Sequence, residues 1–225
     1  MSDHQNFVVY AELDAPVIAA GRLNLDSILA ALIYRETQDL DRAHAEIPLA
    51  RTDGIWHGSS AFFDLGLSGE TGFSRRMSDS EKESAVWFRG GRRMRFSLFV
   101  DSQRGKYQNL LDSYSHLSTP AVRWFGRGDI QQVRELVSSM IYVGKKGGSG
   151  FGKVSEAGVE VVPIEHDYSM MFQGKPARPI PVEMWHATFG STANGDCRTN
   201  MESVTPPYFE TEKKLCVVPP TRYYR

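Results

Sequence analysis

The sequence predicts an α+β fold, and three observations carry that reading. Residues 7–13 alternate apolar and polar in the manner of a strand, two later stretches carry apolar residues at helical spacing, and strand-like runs follow each helix. With a long basic excursion and a short strand around Val122 set aside, the first 162 residues read βαββαβ. That is the ferredoxin-like (RRM-like) order. Residues 163–225 read as a β-rich extension packed on it. A fold of this kind does not establish a function by itself.

The first strand puts Phe7, Val9, Ala11 and Leu13 on one face, and Asp14-Ala15-Pro16 ends it. Asn24 or Asp26 suits the start of a helix in which Leu25, Ile28, Leu29 and Leu32 share a face. Residues 37–54 read as a polar connection with a little helix, and residues 55–63 as the second strand. Residues 64–84 are rich in glycine, serine and charge. Two strand-like runs, 85–89 and 92–100, then flank Gly90-Gly91, a hairpin signal. In the second run Met94, Phe96, Leu98 and Val100 alternate with Arg93, Arg95, Ser97 and Phe99. Residues 101–120 read as a polar loop or short helix holding Arg104, Lys106 and Tyr107. Residues 121–125 form a short strand before Gly126-Arg127-Gly128. Asp129 caps a helix, with Gln132 in the capping-box position and Ile130, Val133, Leu136, Val137, Met140 and Ile141 at helical spacing. Residues 182–189 read as a strand-like piece among proline turns.

Composition bounds the function. The chain has 225 residues, 41% of them hydrophobic, which excludes global disorder. Its formal charge of −1 is unevenly spread. Residues 71–154 hold fifteen Lys/Arg and seven Asp/Glu, a local balance of +8 against −9 elsewhere. One basic face and one neutral or acidic face are expected. Cys197 and Cys216 form no metal-type pair and read as reduced thiols. No apolar run has membrane-span length, and the N-terminus lacks signal-peptide character, so a soluble cytoplasmic protein is expected.

The most informative stretch is residues 142–154, YVGKKGGSGFGKV. Gly147, Gly148, Gly150 and Gly152 let the backbone approach a ligand closely, and consecutive amides in such a loop make an anion concavity. Lys145, Lys146 and Lys153 flank them, with Ser149 and Phe151 between. The run from Gly147 matches a P-loop until Val154, which stands where Ser or Thr should hold magnesium. The context is also reversed, with a helix before the loop and a strand after it, whereas nucleotide loops open a helix. A nucleic-acid backbone therefore suits the loop better than a mononucleotide.

Arg123-Trp124-Phe125-Gly126-Arg127-Gly128-Asp129, the helix after it, and residues 141–154 together resemble the C-terminal glycine-loop signature of RAMP proteins of CRISPR systems. Leu23-Asn24-Leu25-Asp26-Ser27-Ile28-Leu29-Ala30 is similar to the LxLDxxLA opening of the Cas-five-like subunit of type IV effector complexes. Ala177-Arg178-Pro179-Ile180-Pro181 resembles the R-P-x-P segment of that subgroup. The loop departs from many relatives in ending GFGKV rather than in an Arg-containing K-R-x-x-G-x-G form. The resemblance implies a non-catalytic subunit that caps the 5′ handle of CRISPR RNA in a ribonucleoprotein defending against foreign nucleic acid. It implies a RAMP domain over residues 1–162 with a hairpin thumb at about 64–91, the latter carrying Arg75, Arg76, Trp87 and Arg89. Implied partners are the guide RNA, the backbone RAMP subunit, the large subunit, target DNA near the PAM end and a DinG-type helicase, with no membrane.

The expected RNA-binding set is Lys145, Lys146, Gly147, Gly148, Ser149, Gly150, Phe151, Gly152 and Lys153, with Arg75, Arg76, Arg89, Arg92, Arg93, Arg95, Lys106, Arg123 and Arg127. Phe151, Tyr107 and Trp124 are the stacking candidates. No catalytic residue, metal or cofactor is expected. The alternative is a guide-RNA-processing endoribonuclease of the same superfamily. Its base would come from His4, His44, His57, His116, His166 or His186, with His57 or His44 first. A nucleotide-binding enzyme is the third and weakest reading.

Overall fold

The computed structural model describes residues 4–19, 21–75, 110–190, 197–208 and 210–220, with the side chains of Arg75 and Leu110 outside that description. It is a mixed α+β structure with mostly antiparallel sheets. Two compact units divide the chain: residues 1–68 with 116–225, and residues 69–115.

The main sheet uses β1 (Gln5–Leu13), β4 (Phe62–Phe63), β7 (Ala121–Gly128) and β8 (Val154–Pro163) in the order β4-β7-β1-β8. β1 is central, paired with β7 from Gln5↔Gly128 to Glu12↔Ala121, and with β8 from Phe7↔Pro163 to Leu13↔Val154. The alternation read from the sequence sets its faces. Phe7, Val9 and Ala11 are fully buried, whereas Val8 and Tyr10 are half-buried on the other face. Against the buried face pack α1 (Leu25–Thr37) and α3 (Ile130–Ser138). They contribute Leu25, Leu29, Leu32, Ile33, Val133 and Val137 to one core with Trp124, Val122 and Val161.

The strand set aside around Val122 is a full eight-residue member at the centre of the sheet, not an accessory. Its glycines are there for packing. A Cβ on Gly126 would lie 2.5 Å from the Phe7 ring, and one on Gly128 would lie 2.2 Å from the Pro48 carbonyl oxygen. Asp129 does cap α3, accepting from the amides of Gln131 and Gln132, while Gln132 Nε2 donates to its carboxylate at 3.0 Å. The helix ends at Ser138, so Met140 and Ile141 lie beyond it.

Three other expectations change. Residues 55–63 are not one strand. β2 (Arg51–Thr52) and β3 (Ile55–Trp56) make a small hairpin, and β4 is a separate two-residue strand. The backbone between them is claimed by tertiary partners: Ser59 N donates to Phe125 O, Ala61 N to Leu23 O, and the Trp56 and Gly58 carbonyls accept from Arg178. Part of the polar stretch 101–120 is extended: β6 (Leu110–Ser118) forms a two-stranded sheet with β5 (Leu67–Arg75). In the second unit Phe73 meets Tyr114 edge-on at 5.7 Å. Residues 182–189 are helix, not strand. This helix, α4 (Val182–Phe189), buries Trp185 and sets Phe189 four residues on, 4.6 Å from it. The expected hairpin around Gly90-Gly91 lies outside the described residues. α2 (Leu40–Ala45) is the little helix of the connection, capped by Asp39.

The C-terminal extension forms β9 (Met171–Phe172) with β10 (Lys175–Pro176), and a sheet β11-β13-β12 from Ile180–Pro181, Lys214–Val218 and Arg198–Glu202. Its core gathers Ile55, Met170, Ile180, Trp185, Cys216, Val217 and Val218. Cys216 is a buried thiol outside any disulfide. Burial, with Glu202 adding to it, pushes the Cys216 thiol up to about 11 and keeps it protonated. Among the described residues, no helix is long and apolar enough to cross a membrane.

A buried ion pair joins extension to sheet. Asp26 and Arg178 are both 0% exposed, with Arg178 Nη2 3.2 Å from Asp26 Oδ2. Arg178 also donates to the carbonyls of Trp56, Gly58 (3.0 Å) and Val204 (2.9 Å), and Tyr208 Oη donates to Asp26 at 2.6 Å. Burial opposes the Arg178 charge, but Asp26 and Tyr208 more than offset it, and the guanidinium's pKa is raised. Replacing either partner strands a charge in the core. Asp26→Asn or Arg178→Leu is expected to lower unfolding free energy by about 3–5 kcal/mol, read from urea midpoints.

Candidate nucleic-acid interface

The glycine stretch is a stitched turn rather than a loose solvated loop. Val143 N donates to Gly152 O at 2.8 Å, Val154 N donates to Ile141 O at 2.9 Å, and Tyr142 bridges to Lys153. At the tip, Gly147–Ser149 make a 3₁₀ turn entered through Lys146 in the left-handed region, φ 64°. The segment after β1 straps the turn down. Gly152 N donates to Pro16 O at 2.8 Å and Lys145 N donates to Ile18 O at 2.9 Å. Between these, Val17 exchanges two bonds of 2.9 Å with Leu117 at the end of β6. Asp14 N reaches Lys153 O at 2.9 Å.

The glycines play different parts. Gly152 has φ +63° and a Cβ there would lie 1.9 Å from Val143 O, so the fold demands glycine. Gly148 has no special φ and open space where a Cβ would be. Its amide and that of Gly147 donate no hydrogen bond among the described residues. A left-handed residue followed by a 3₁₀ turn directs successive amides into one concavity, which suits an anion.

Around this tip, Lys145 is exposed with no ion pair among the described residues. Lys153 is exposed, 4.0 Å from Asp14, a contact too solvated to neutralise it. Ser149 and Gly150 are exposed, and Phe151 is half-buried with its ring 6.0 Å from that of His116. Sequence reasoning did not connect His116 with the loop, because β6 reaches it through the Val17 strap.

The other expected residues separate from the loop. Arg123 lies at mid-sheet, opposite Tyr10, and its Nη2 is 2.5 Å from Asp64 Oδ1. Arg127 pairs with Asn6, whereas the loop enters the sheet at Leu13. Seven residue steps along β1 separate these positions, about 23 Å at roughly 3.3 Å per step. Trp124 is fully buried and donates Nε1 to Leu23 O at 2.9 Å, so this stacking candidate is core. Of Arg75 only the backbone, in β5, is described. Arg76, Arg89, Arg92, Arg93, Arg95, Lys106 and Tyr107 lie outside the described residues.

At the Arg127 end stands a second polar cluster. His57 is held between Thr52 Oγ1, 2.8 Å from Nε2, and Asp167 Oδ2, 3.5 Å from Nδ1. Ser169 donates Oγ to Asp167 at 2.6 Å and its amide at 2.9 Å, and Arg127 Nη1 is 3.9 Å from the same carboxylate. The sequence singled out His57 but not these partners. Among the described residues, no group of three His, Cys, Asp or Glu stands ready for a metal ion. No family model matches the chain, and no curated protein matches it.

Burial raises the Asp167 pKa, but hydrogen bonds from His57 and Ser169 outweigh it and leave the value at about 2. A depressed carboxylate contributes stability that is present above its unfolded value near 4 and lost as pH falls through the folded value. Thermal stability is therefore expected to decline between about pH 4 and 2, and Asp167→Asn to flatten that part of the profile by losing the contribution at neutral pH. Parallel profiles in the two proteins would contradict it.

Proposed function

We propose that the protein is a non-catalytic CRISPR RNA-binding subunit of the RAMP type, resembling the Cas-five-like subunit of type IV effector complexes, and that its glycine turn holds the 5′ handle of the guide RNA. The observation that carries the reading is the turn itself: the amides of Gly147 and Gly148 donate no hydrogen bond among the described residues, Gly148 borders open space, Lys145, Lys146 and Lys153 flank them in sequence, and backbone bonds to residues 16–18 fix the turn. Single-stranded RNA is bound by such cationic grooves with an aromatic to stack on, and Phe151 supplies the aromatic here.

Other features support the same reading. The strand order β4-β7-β1-β8, antiparallel throughout, with helices after β1 and β7, is the arrangement expected of a ferredoxin-like domain. The LxLDxxLA-like and R-P-x-P-like segments meet in the Asp26–Arg178 pair, which gives both a shared structural reason. The acidic remainder of the chain suits contacts with the other subunits, and a cytoplasmic location follows from guide-RNA binding.

Filter binding of a 5′-handle RNA across a salt series tests this. Replacing Lys145, Lys146 and Lys153 with alanine should weaken binding at least tenfold. It should also reduce the log–log salt slope by about 2, at roughly 0.7 per phosphate contact on a single strand. Unchanged affinity and slope would exclude the turn as the RNA site. Gly148→Ala separates binding from folding. It should leave the unfolding midpoint within about 0.5 kcal/mol of the parent while weakening RNA, whereas Gly152→Ala should destabilise the turn itself.

A further inference from the structure

The cluster around His57 is not used by RNA binding at the glycine turn. Its order is hydroxyl, imidazole, carboxylate. Thr52 Oγ1 sits 2.8 Å from His57 Nε2, and Asp167 Oδ2 sits 3.5 Å from Nδ1. A carboxylate facing Nδ1 selects the tautomer with its proton there, leaving the Nε2 lone pair toward the Thr52 hydroxyl. Asp167 is fixed in turn by Ser169 Oγ and N, at 2.6 and 2.9 Å. Ser169 Oγ also lies 3.4 Å from Nδ1.

Access differs along the cluster as the chemistry requires. Thr52 is exposed on the β2–β3 hairpin, at the tight turn through Asp53 and Gly54, where both residues have positive φ (48° and 84°). The His57 side chain is 13% exposed, so the ring is largely enclosed without being sealed from solvent. Arg127, 47% exposed, extends beside Asp167 and is the nearby cation for a departing anion. A nucleophile within hydrogen-bond reach of a base, with the base oriented by a third group, is the signature of an activated hydroxyl.

We propose that Thr52, His57 and Asp167 form a nucleophilic relay that takes an acyl group from small activated esters. In the first step the Thr52 O–H bond breaks and its proton moves to His57 Nε2, while a bond forms between Oγ1 and the ester carbonyl carbon. The bond from that carbon to the leaving oxygen then breaks, and the alcohol or phenol departs with the proton from His57. Water, giving a proton to the same nitrogen, adds to the acyl-Thr52 ester, and its breakdown returns a carboxylic acid and the free hydroxyl. Thr52 and His57 are the catalytic residues; Asp167 is the positioning residue. The relay does not depend on the RNA reading, since Arg127 beside it pairs near the Gln5 end of β1 whereas the glycine turn enters the sheet at Leu13.

The test uses the full chain with p-nitrophenyl acetate. Leaving-group release should show a burst approaching one equivalent, and rapid quenching followed by trypsin should place one acetyl group on peptide 52–75. Thr52→Ser should retain the burst. Thr52→Val, an isosteric change at an exposed site, should abolish it, and His57→Gln should slow acylation about 100-fold. Asp167→Asn should slow it at least tenfold and displace the midpoint of the pH–rate profile, which loss of a structural clasp alone would not do. Acetylation that proceeds equally in Thr52→Val, or label spread over lysines with none on peptide 52–75, would overturn the proposal. So would an unchanged rate in His57→Gln.

Discussion

The buried pair between Asp26 and Arg178 is the contact on which the rest of the first unit depends. The two residues are 152 positions apart and both are fully enclosed. Two ions in a protein interior cost several kcal/mol each to desolvate, so the pair is worth little unless its remaining valences are used. Here most are. The guanidinium takes three backbone carbonyls, and the carboxylate takes the Tyr208 hydroxyl. Those carbonyls belong to β3, to the run between β3 and β4 and to the C-terminal extension. The pair thus fixes where the first turn of α1, the second-strand region and the extension meet. Asp26 Oδ1 and Arg178 Nε remain without partners in the described structure, so the arrangement specifies position more than it adds stability.

From that fixed centre, β1 carries order outward to both ends of the sheet. At the Leu13 end, residues 14–18 bond to Lys153, Gly152, Leu117 and Lys145 in turn. A glycine-rich segment would otherwise lose much conformational freedom on binding a ligand. Here the backbone bonds have already taken that cost during folding, so the amides of Gly147 and Gly148 stand preorganised. At the Gln5 end, Asn6 lies beside Arg127, and the chain leaving β8 returns Asp167 to His57. Tyr168 and Phe172 follow and pack on Phe125, with Phe172 stacked at 5.3 Å and 15°.

What the sequence made legible is what local chemistry decides. The faces of β1 follow from alternation of Phe7, Val9 and Ala11, and the start of α3 follows from Asp129 and Gln132. Residues 182–189 were misread because Val182, Met184 and Trp185 fit a strand pattern loosely. The Trp185–Phe189 spacing that marks a helix competed with it. The extended course of β6 was hidden because its polar residues carry no apolar alternation. The division of residues 55–63 was invisible for another reason: it arises from Arg178 and Phe125 competing for backbone groups. In the candidate site the lysines and glycines of the turn were legible, since phosphate chemistry lives in residue type. The partners of His57 were not, because Ser169 lies 112 residues away and Asp167 is brought in by tertiary structure.

The electrostatics of the sheet decide between its two ends and its middle as a place for a polyanion. Among the described residues the mid-sheet cation, Arg123, is committed to Asp64 and lies over the Tyr10 ring at 5.7 Å. Burial first, and then Glu12 and Asp64, raise the Tyr10 hydroxyl's pKa, the response of a group set among carboxylates. An extended phosphate chain laid across this face would meet fixed negative charge at its centre. The Gln5 end offers Arg127, but that guanidinium faces Asp167, which stays ionised down to about pH 2. Among the described residues the glycine turn joins unengaged amides of Gly147 and Gly148 to Lys145, which makes no ion pair there, and Lys153, which meets Asp14 only in solvent. Since surface pairs of the Lys153–Asp14 kind are worth little, a phosphate group competes with Asp14 at small cost. Charge placement, more than the total of basic residues, therefore makes the glycine-turn end of the sheet better suited to a polyanion than its middle or its Gln5 end.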